Sequence, residues 1–136
     1  MKALKNGTDI RGTAIGEGKN LTAERAELFG KAFAALLQER GAKTPLKIAV
    51  GRDPRISGPE LKEGLVQGLC AMGADVLDCG IATTPSMFFS TYFKGSDCDG
   101  AIEITASHLP YDKNGLKFFT KDGGLDGKDI SALIEL

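Results

Sequence analysis

Apolar residues recur along the chain in two rhythms, and the switches between them mark out its elements. Ala26, Phe29, Phe33, Leu36 and Leu37 fall at helical spacing. Thr22 before them is an N-cap and Gly41 after them a stop, which predicts a helix from Thr22 to about Arg40. Leu46-Lys47-Ile48-Ala49-Val50 reads as a short strand entering the loop Gly51-Arg52-Asp53-Pro54-Arg55. Ser57 and Glu60 make a capping-box pattern that opens a second helix, with Leu61, Leu65 and Leu69 on one face and Gly73 at its end. Ala74 to Cys79 predicts another buried strand. Thr84-Pro85 then starts a helix that carries Met87, Phe88 and Tyr92 and stops near Gly95. Gly100 to Ile104 is a further strand, leading into Thr105-Ala106-Ser107-His108-Leu109-Pro110. Asn114-Gly115 suits a tight turn, Leu116 to Phe119 a short strand, and Lys121-Asp122-Gly123-Gly124 a second turn. Lys128 to Leu136 reads as the start of a last helix.

Helices alternating with short buried strands argue for an α/β fold, a three-layer α/β/α sandwich around a mixed, mostly parallel four-stranded sheet. The 136 residues fit one domain, taken as residues 1–136, and an apolar fraction of 42% is enough for an ordinary core. The 18 glycines are spread as punctuation, without a repeat or a linker. Ligand-binding groups in such sheets gather at the carboxyl ends of parallel strands. The segments 52–55, 82–85 and 105–108 each follow a predicted strand, so they are candidates to meet at one edge.

Charge and cysteine content narrow the chemistry. A net charge of −1 gives no electrostatic grip on nucleic acid or a membrane surface. No apolar run approaches the roughly 18 residues of a membrane span, and the N-terminus has no apolar signal core. Cys70, Cys79 and Cys98 are scattered and there is one histidine, which argues against a zinc site and for reduced thiols in a cytoplasmic protein.

Ser107 is the most informative position. Just past a buried strand, it could be a nucleophile, a phosphoryl carrier or a loop serine capping a turn. A Ser-His hydrolase is disfavoured, because His108 is the immediate neighbour of Ser107 and G-x-S-x-G is absent. Lys117 could neutralise a phosphoryl group or act as a general acid/base, or could be an ordinary strand lysine. Arg11, in Asp9-Ile10-Arg11-Gly12 ahead of a glycine-containing loop, offers a planar fork of donors for phosphate. A P-loop over Thr13 to Asn20 fails at both of those positions. Arg52, Asp53 and Arg55 could equally be a salt-bridged loop.

Together these segments resemble the α-D-phosphohexomutases, the family of phosphoglucomutases and phosphomannomutases. The similarity rests on Thr105 to Pro110, on the spacing from Ser107 through Asn114-Gly115 to Lys117, and on Asp9 to Gly12, Gly51 to Arg55 and Thr84-Pro85. It covers essentially the whole chain, in order. The resemblance implies that Ser107 carries the phosphoryl group exchanged with the sugar and binds Mg²⁺ through that phosphate. It also implies that His108 and Lys117 assist at the sugar hydroxyl, with Lys117 the general acid/base. Arg11 would face the phosphoserine region, and Thr8 would line the same pocket. A sugar monophosphate would be converted through a hexose bisphosphate, which is both intermediate and activator. Leu109 departs from the asparagine usual after the histidine, which bears on subgroup more than on family. The family's enzymes have further domains that hold the other metal ligands, the sugar site and the main phosphate loop. The chain is therefore expected to be the first domain of such an enzyme, inactive alone and completed by the parent's remaining domains. A phosphoglucosamine mutase parent, or a non-catalytic phosphosugar- or anion-binding module on the same fold, are the alternatives.

Overall fold

A computed structural model describes residues 4–6, 9–41, 45–81, 98–106, 109–110, 112–120 and 123–135. In chain order these form β1 (Lys5–Asn6), β2 (Asp9–Thr13), α1 (Ala23–Glu39), β3 (Lys47–Arg52), α2 (Gly58–Ala71), β4 (Asp75–Ile81), β5 (Gly100–Ile104), β6 (Lys113–Thr120), β7 (Gly123–Gly124) and α3 (Gly127–Glu135). The helix predicted from Thr84 to Gly95 lies outside the described residues. None of the described helices is long and apolar enough to cross a membrane.

The strands make one mixed sheet in the order β1-β2-β6-β5-β3-β4, with β7 paired to β6. The four strands legible in the sequence are its contiguous middle and edge, β6-β5-β3-β4, where β3 runs parallel to both β4 and β5. The sheet is nevertheless larger than four strands. β1, β2 and β7 extend it through antiparallel pairings that the sequence pattern did not announce. Arg11 lies within β2, opposite Gly115.

Strand alternation sends Ile10, Ile48, Val50, Ile102, Ile104, Leu116 and Phe118 to one face, where they form a single core with α1, α2 and α3. The other face is buried as well. Ala49, Ala101 and Cys98 form a smaller cluster there with Phe119 and Cys79. Burial on both faces is what a three-layer sandwich requires. β4 corrects an expectation. As the terminal strand in the pairing order it is largely exposed rather than buried, with Ile81 64% exposed.

Local chemistry accounts for the helix ends, with one exception. Thr22 Oγ1 accepts from the Arg25 N–H at 3.2 Å, and Gly41 and Gly73 take the positive φ that closes α1 and α2. The capping box at Ser57 does not form. Ser57 has helical backbone angles and no side-chain cap bond, and its hydroxyl accepts instead from Asn114 Nδ2 at 2.8 Å. Glu60 pairs with Lys19.

α1 and α2 cross unusually closely because glycine faces backbone at the crossing. A Cβ at Gly64 would stand 2.1 Å from the Ala23 carbonyl oxygen, and one at Gly68 would stand 2.1 Å from that of Glu27. Alanine is the better helix former, but by only about 1 kcal/mol. Gly68→Ala is therefore expected to destabilise the fold by about 2–3 kcal/mol through overpacking, read as a lower urea midpoint at unchanged slope. A neutral or stabilising result would mean that the helices are not this close.

Glu103 sits on the second face of the sheet and is 1% exposed, and its Oε1 has no hydrogen-bond partner among the described residues. Burial, followed by the nearby Asp53 carboxylate, pushes its pKa from 4.5 up to about 7. Between those values the folded protein keeps a proton that the unfolded chain has lost. Stability should therefore fall as pH rises through the window, by about 3 kcal/mol in all. Asp78, lowered by its bond to Lys62, acts in the acidic range below it. Glu103→Gln should flatten the decline and leave the variant more stable than wild type above pH 7. Denaturant curves across pH check this, and a wild-type profile that rises through the window would refute it.

Candidate active site at the sheet edge

The carboxyl ends of β3 and β5 lie side by side, and the loops leaving them are tied together. The Asp53 N–H donates to the Ile104 carbonyl at 3.1 Å. The Thr105 hydroxyl donates to Asp53 Oδ2 at 2.6 Å, and the same oxygen accepts from Arg55 Nε at 3.1 Å. Asp53 Oδ1 accepts from the Arg55 N–H at 3.2 Å. The salt-bridged reading of this loop is thus right for Asp53 and Arg55, but their pairing also reaches a second loop. Arg55 Nη1 donates to the carbonyls of Leu109 at 2.9 Å, Pro110 at 2.8 Å and Lys113 at 3.2 Å.

One ion pair therefore grips the chain on both sides of positions 107 and 108: Thr105 before them, Leu109 and Pro110 after them. A further bond, from the Leu109 N–H to the Ala106 carbonyl at 3.1 Å, draws the two flanks together. Ser107 and His108 themselves lie outside the described residues, as do Thr8 and the segment Ala82 to Pro85. Of the three segments expected to meet at one edge, 52–55 and the described part of 105–108, Thr105 and Ala106, do so.

β6 supplies the floor, and here the structure corrects the sequence reading. Asn114-Gly115 is not a turn but lies inside β6, paired with Gly12 and Arg11 of β2. Asn114 is fully buried, with its Nδ2 on Ser57 and its Oδ1 accepting from the Gly115 N–H at 2.9 Å. Gly115 is needed for close approach. A Cβ there would stand 2.5 Å from the Ile10 carbonyl oxygen and 2.9 Å from that of Thr105. The strand thus begins at Lys113, earlier than Leu116, and Lys113 Nζ donates to Thr13 Oγ1 at 2.7 Å. The following loop closes on itself, with the Asn20 N–H on the Thr13 carbonyl and Asn20 Oδ1 on the Thr13 N–H.

Period-two alternation puts Asp9 and Arg11 of β2 on the same face as Lys117 and Glu103. There the two predicted cations meet on one carboxylate oxygen. Asp9 Oδ2 lies 2.9 Å from Lys117 Nζ and 3.1 Å from Arg11 Nη2. With 10% of the Asp9 side chain exposed, water and salt screen the pairs less than they would on an open surface. Arg11 Nε is buried without a hydrogen-bond partner among the described residues. Arg52 stands apart, on the helix side of the sheet, with its Nη1 3.4 Å from the Asp53 carbonyl oxygen.

Sequence reasoning singled out Arg11 and Lys117 but missed Asp9, which joins them, and the span of Arg55. An Asp-x-Arg pair in a strand places both charges on one face, a signal available only once that segment is read as β rather than loop. The three carbonyls under Arg55 lie 54 to 58 positions away in sequence, and no local pattern marks them.

Among the described residues, no group of three or more His, Cys, Asp or Glu could hold a metal ion. Asp53 and Asp9 are each committed to neighbouring donors. The described donor set does not by itself fit a Mg²⁺ site. A cavity of about 410 Å³ lies in the helical layer, lined by apolar residues including Leu28, Phe29, Ala32 and Leu133. It is across the sheet from Asp9, Arg11 and Lys117, and Lys31 is the one charged residue in its otherwise apolar lining.

Known proteins share this fold. The family model described as phosphoglucomutase/phosphomannomutase, alpha/beta/alpha domain I, matches residues 2–136. The phosphoglucomutase/phosphomannomutase of Thermococcus kodakarensis is 40% identical over 126 residues, covering 93% of this chain and 26% of that protein. The phosphoglucosamine mutase of Acetivibrio thermocellus is 47% identical over 118 residues, covering 86% of this chain and 25% of that protein. An X-ray structure of a phosphoglucomutase/phosphomannomutase family protein from Burkholderia thailandensis matches with a TM-score of 0.86 at 34% identity, covering 99% of this chain and 30% of that one. The chain thus spans about a quarter of the length of the curated relatives it matches. With the family's domain model matched from residue 2 to 136 on a fold that superposes on a solved member, this chain belongs to the phosphoglucomutase/phosphomannomutase family, as its α/β/α domain I.

Proposed function

We propose that this domain carries the transferable phosphoryl group of a phosphohexomutase that interconverts sugar 1-phosphates and sugar 6-phosphates, with Ser107 as the carrier. The observation that supports it most is the convergence of two things at one sheet edge. The Asp53–Arg55 pair holds both flanks of positions 107 and 108, and Arg11 and Lys117 stand together on the adjoining face. Phosphoryl transfer asks the protein mainly for positioning and for cations. Anchored loop flanks and two convergent cations are those parts.

In this reading a sugar hydroxyl attacks the phosphorus on Ser107. The new P–O bond forms as the bond to Ser107 Oγ breaks; Lys117 gives a proton to the leaving Oγ and takes one from the attacking hydroxyl, so it ends the step as the ammonium it began. The resulting hexose bisphosphate reorients, and its other phosphoryl group returns to Ser107 Oγ by the reverse chemistry. Arg11 holds the phosphoryl oxygens with its planar fork. His108 assists at the sugar hydroxyl, and Thr8 lines the pocket. Mg²⁺, when bound, would neutralise charge on the phosphoryl group, and its contact on this domain would be the Ser107 phosphate. Its other ligands, and sugar recognition, belong to the parent's remaining domains, so the domain alone turns nothing over.

Between parents, the phosphoglucosamine mutase relative at 47% identity keeps that substrate open beside glucose and mannose phosphates. Mutase assays of the complete protein on all three sugars should show one preferred substrate. Ser107→Ala should then lose about 10³-fold or more in kcat. Full activity in that variant would sink the phosphoserine reading and leave a phosphosugar-binding module on the same fold. Arg55→Lys tests the positioning. A lysine has one nitrogen and cannot hold Asp53 and the loop carbonyls from two separate atoms, as Arg55 Nε and Nη1 do, and misplacing a nucleophile by about 1 Å costs about 10²-fold. The loss should fall on kcat, with KM little changed. A variant with wild-type kcat would show that the clasp does not set the loop.

A further inference from the structure

Asp9 takes no part in the transfer described above, yet one of its oxygens joins both cations of the site. Asp9 follows Ile10↔Leu116 in the β2–β6 register and so faces Lys117 directly across the strands, while Arg11 reaches back to it from two residues along the same strand. One carboxylate cannot satisfy this pair. It leaves the cluster with a positive charge in excess, and Arg11 Nε buried and unbonded among the described residues. Other charged groups nearby are otherwise engaged. Asp53 is held by Arg55 and Thr105, and Lys113 by Thr13. Glu103, opposite Lys117 on β5, makes no ion pair with it among the described residues. Asp9 is thus the anion that Arg11 and Lys117 hold when no phosphoryl group is present.

We infer that Asp9 is a displaceable internal counter-anion, a positioning residue that poises Arg11 and Lys117 and is exchanged for the incoming phosphoryl group, so that it sets how tightly the site holds phosphate. Two negative groups compete for the same donors. Each weakens the other's hold by the same factor, because the coupling is reciprocal. A purely structural Asp9 would behave in the opposite way, since its loss would let the cations drift and phosphate binding would weaken.

The inference rests on the phosphoryl-carrying reading of this site, and its test is chosen to fail separately. Ser107→Ala in the complete protein keeps the pocket free of covalent phosphate, and inorganic phosphate is titrated into it by calorimetry. Adding Asp9→Asn, nearly isosteric and uncharged, should lower the phosphate Kd by about tenfold. Adding Lys117→Met should remove most of that gain. Unchanged or weaker binding in the Asp9→Asn protein would overturn the inference, as would the absence of phosphate binding from both proteins. A readout that leaves position 9 intact covers a failure of that variant to fold. The carboxyl ¹³C resonance of Asp9 in the Ser107→Ala protein should move with phosphate saturation, and a stationary resonance at saturation refutes displacement. Full mutase activity of Ser107→Ala would sink the phosphoserine reading without touching either measurement.

Discussion

At Gly115 three stretches of backbone meet more closely than any side chain would permit. The Ile10 carbonyl of β2 and the Thr105 carbonyl at the end of β5 both crowd the position where a Cβ would stand. Much of the site follows from that contact. It seats β2 against β6, which brings Asp9 and Arg11 alongside Lys117. It also lets the Thr105 N–H reach the Gly115 carbonyl at 2.9 Å, which fixes where the chain leaves β5. Asn114 then anchors the same strand to the first turn of α2 through Ser57. The floor of the site, the entry to its loop and one end of the helical layer are therefore referenced to two consecutive residues of β6.

The two faces of the sheet divide the work. Large aliphatic and aromatic side chains fill the face toward the helices, including the tilted contact of Phe33 with Phe118 at 5.0 Å. Toward the site end, the other face gives up apolar packing for Asp9, Arg11, Glu103 and Lys117. Charges placed there are stable only if each finds a partner or loses its charge. Asp9, Arg11 and Lys117 take the first course, and Glu103, with its pKa raised to about 7, takes the second as pH falls below neutral. Because Asp9 and Glu103 are largely buried, these groups feel one another more strongly than they would in bulk water.

Wherever burial alone dictated a pattern, the sequence was readable. α1 with its Thr22 cap, and the strands around Ile48 and Ile102, lie within a residue or two of where periodicity puts them. Burial could not reveal β2, whose alternation Asp9-Ile10-Arg11-Gly12 has one apolar residue and two charges and so looks like a loop. Asn114-Gly115 misleads for a related reason. That dipeptide suits a tight turn when read locally, but here a buried amide and a missing Cβ serve contacts with residues distant in sequence. Ser57 repeats the lesson, since a hydroxyl placed to cap its own helix is taken by Asn114 instead. Of the site, the cations were legible as residue types. Their shared carboxylate and the reach of Arg55 depend on which strands pair, and no spacing along the chain encodes that.

The way the polar groups at this edge are spent also bears on what the domain can discriminate. Reading one hexose against another requires donors and acceptors left free to meet particular hydroxyls. Asp53, Thr105, Asn114 and Lys113 instead bond to other parts of the domain, and Arg55 closes on backbone carbonyls. Among the described residues, what remains is charge aimed at one point, which suits an anion. Under the proposed function, a site so built would favour the phosphoryl group over its carrier. Under that function, recognition of the sugar would fall to surfaces outside this domain, which accords with relatives named phosphoglucomutase/phosphomannomutase and phosphoglucosamine mutase.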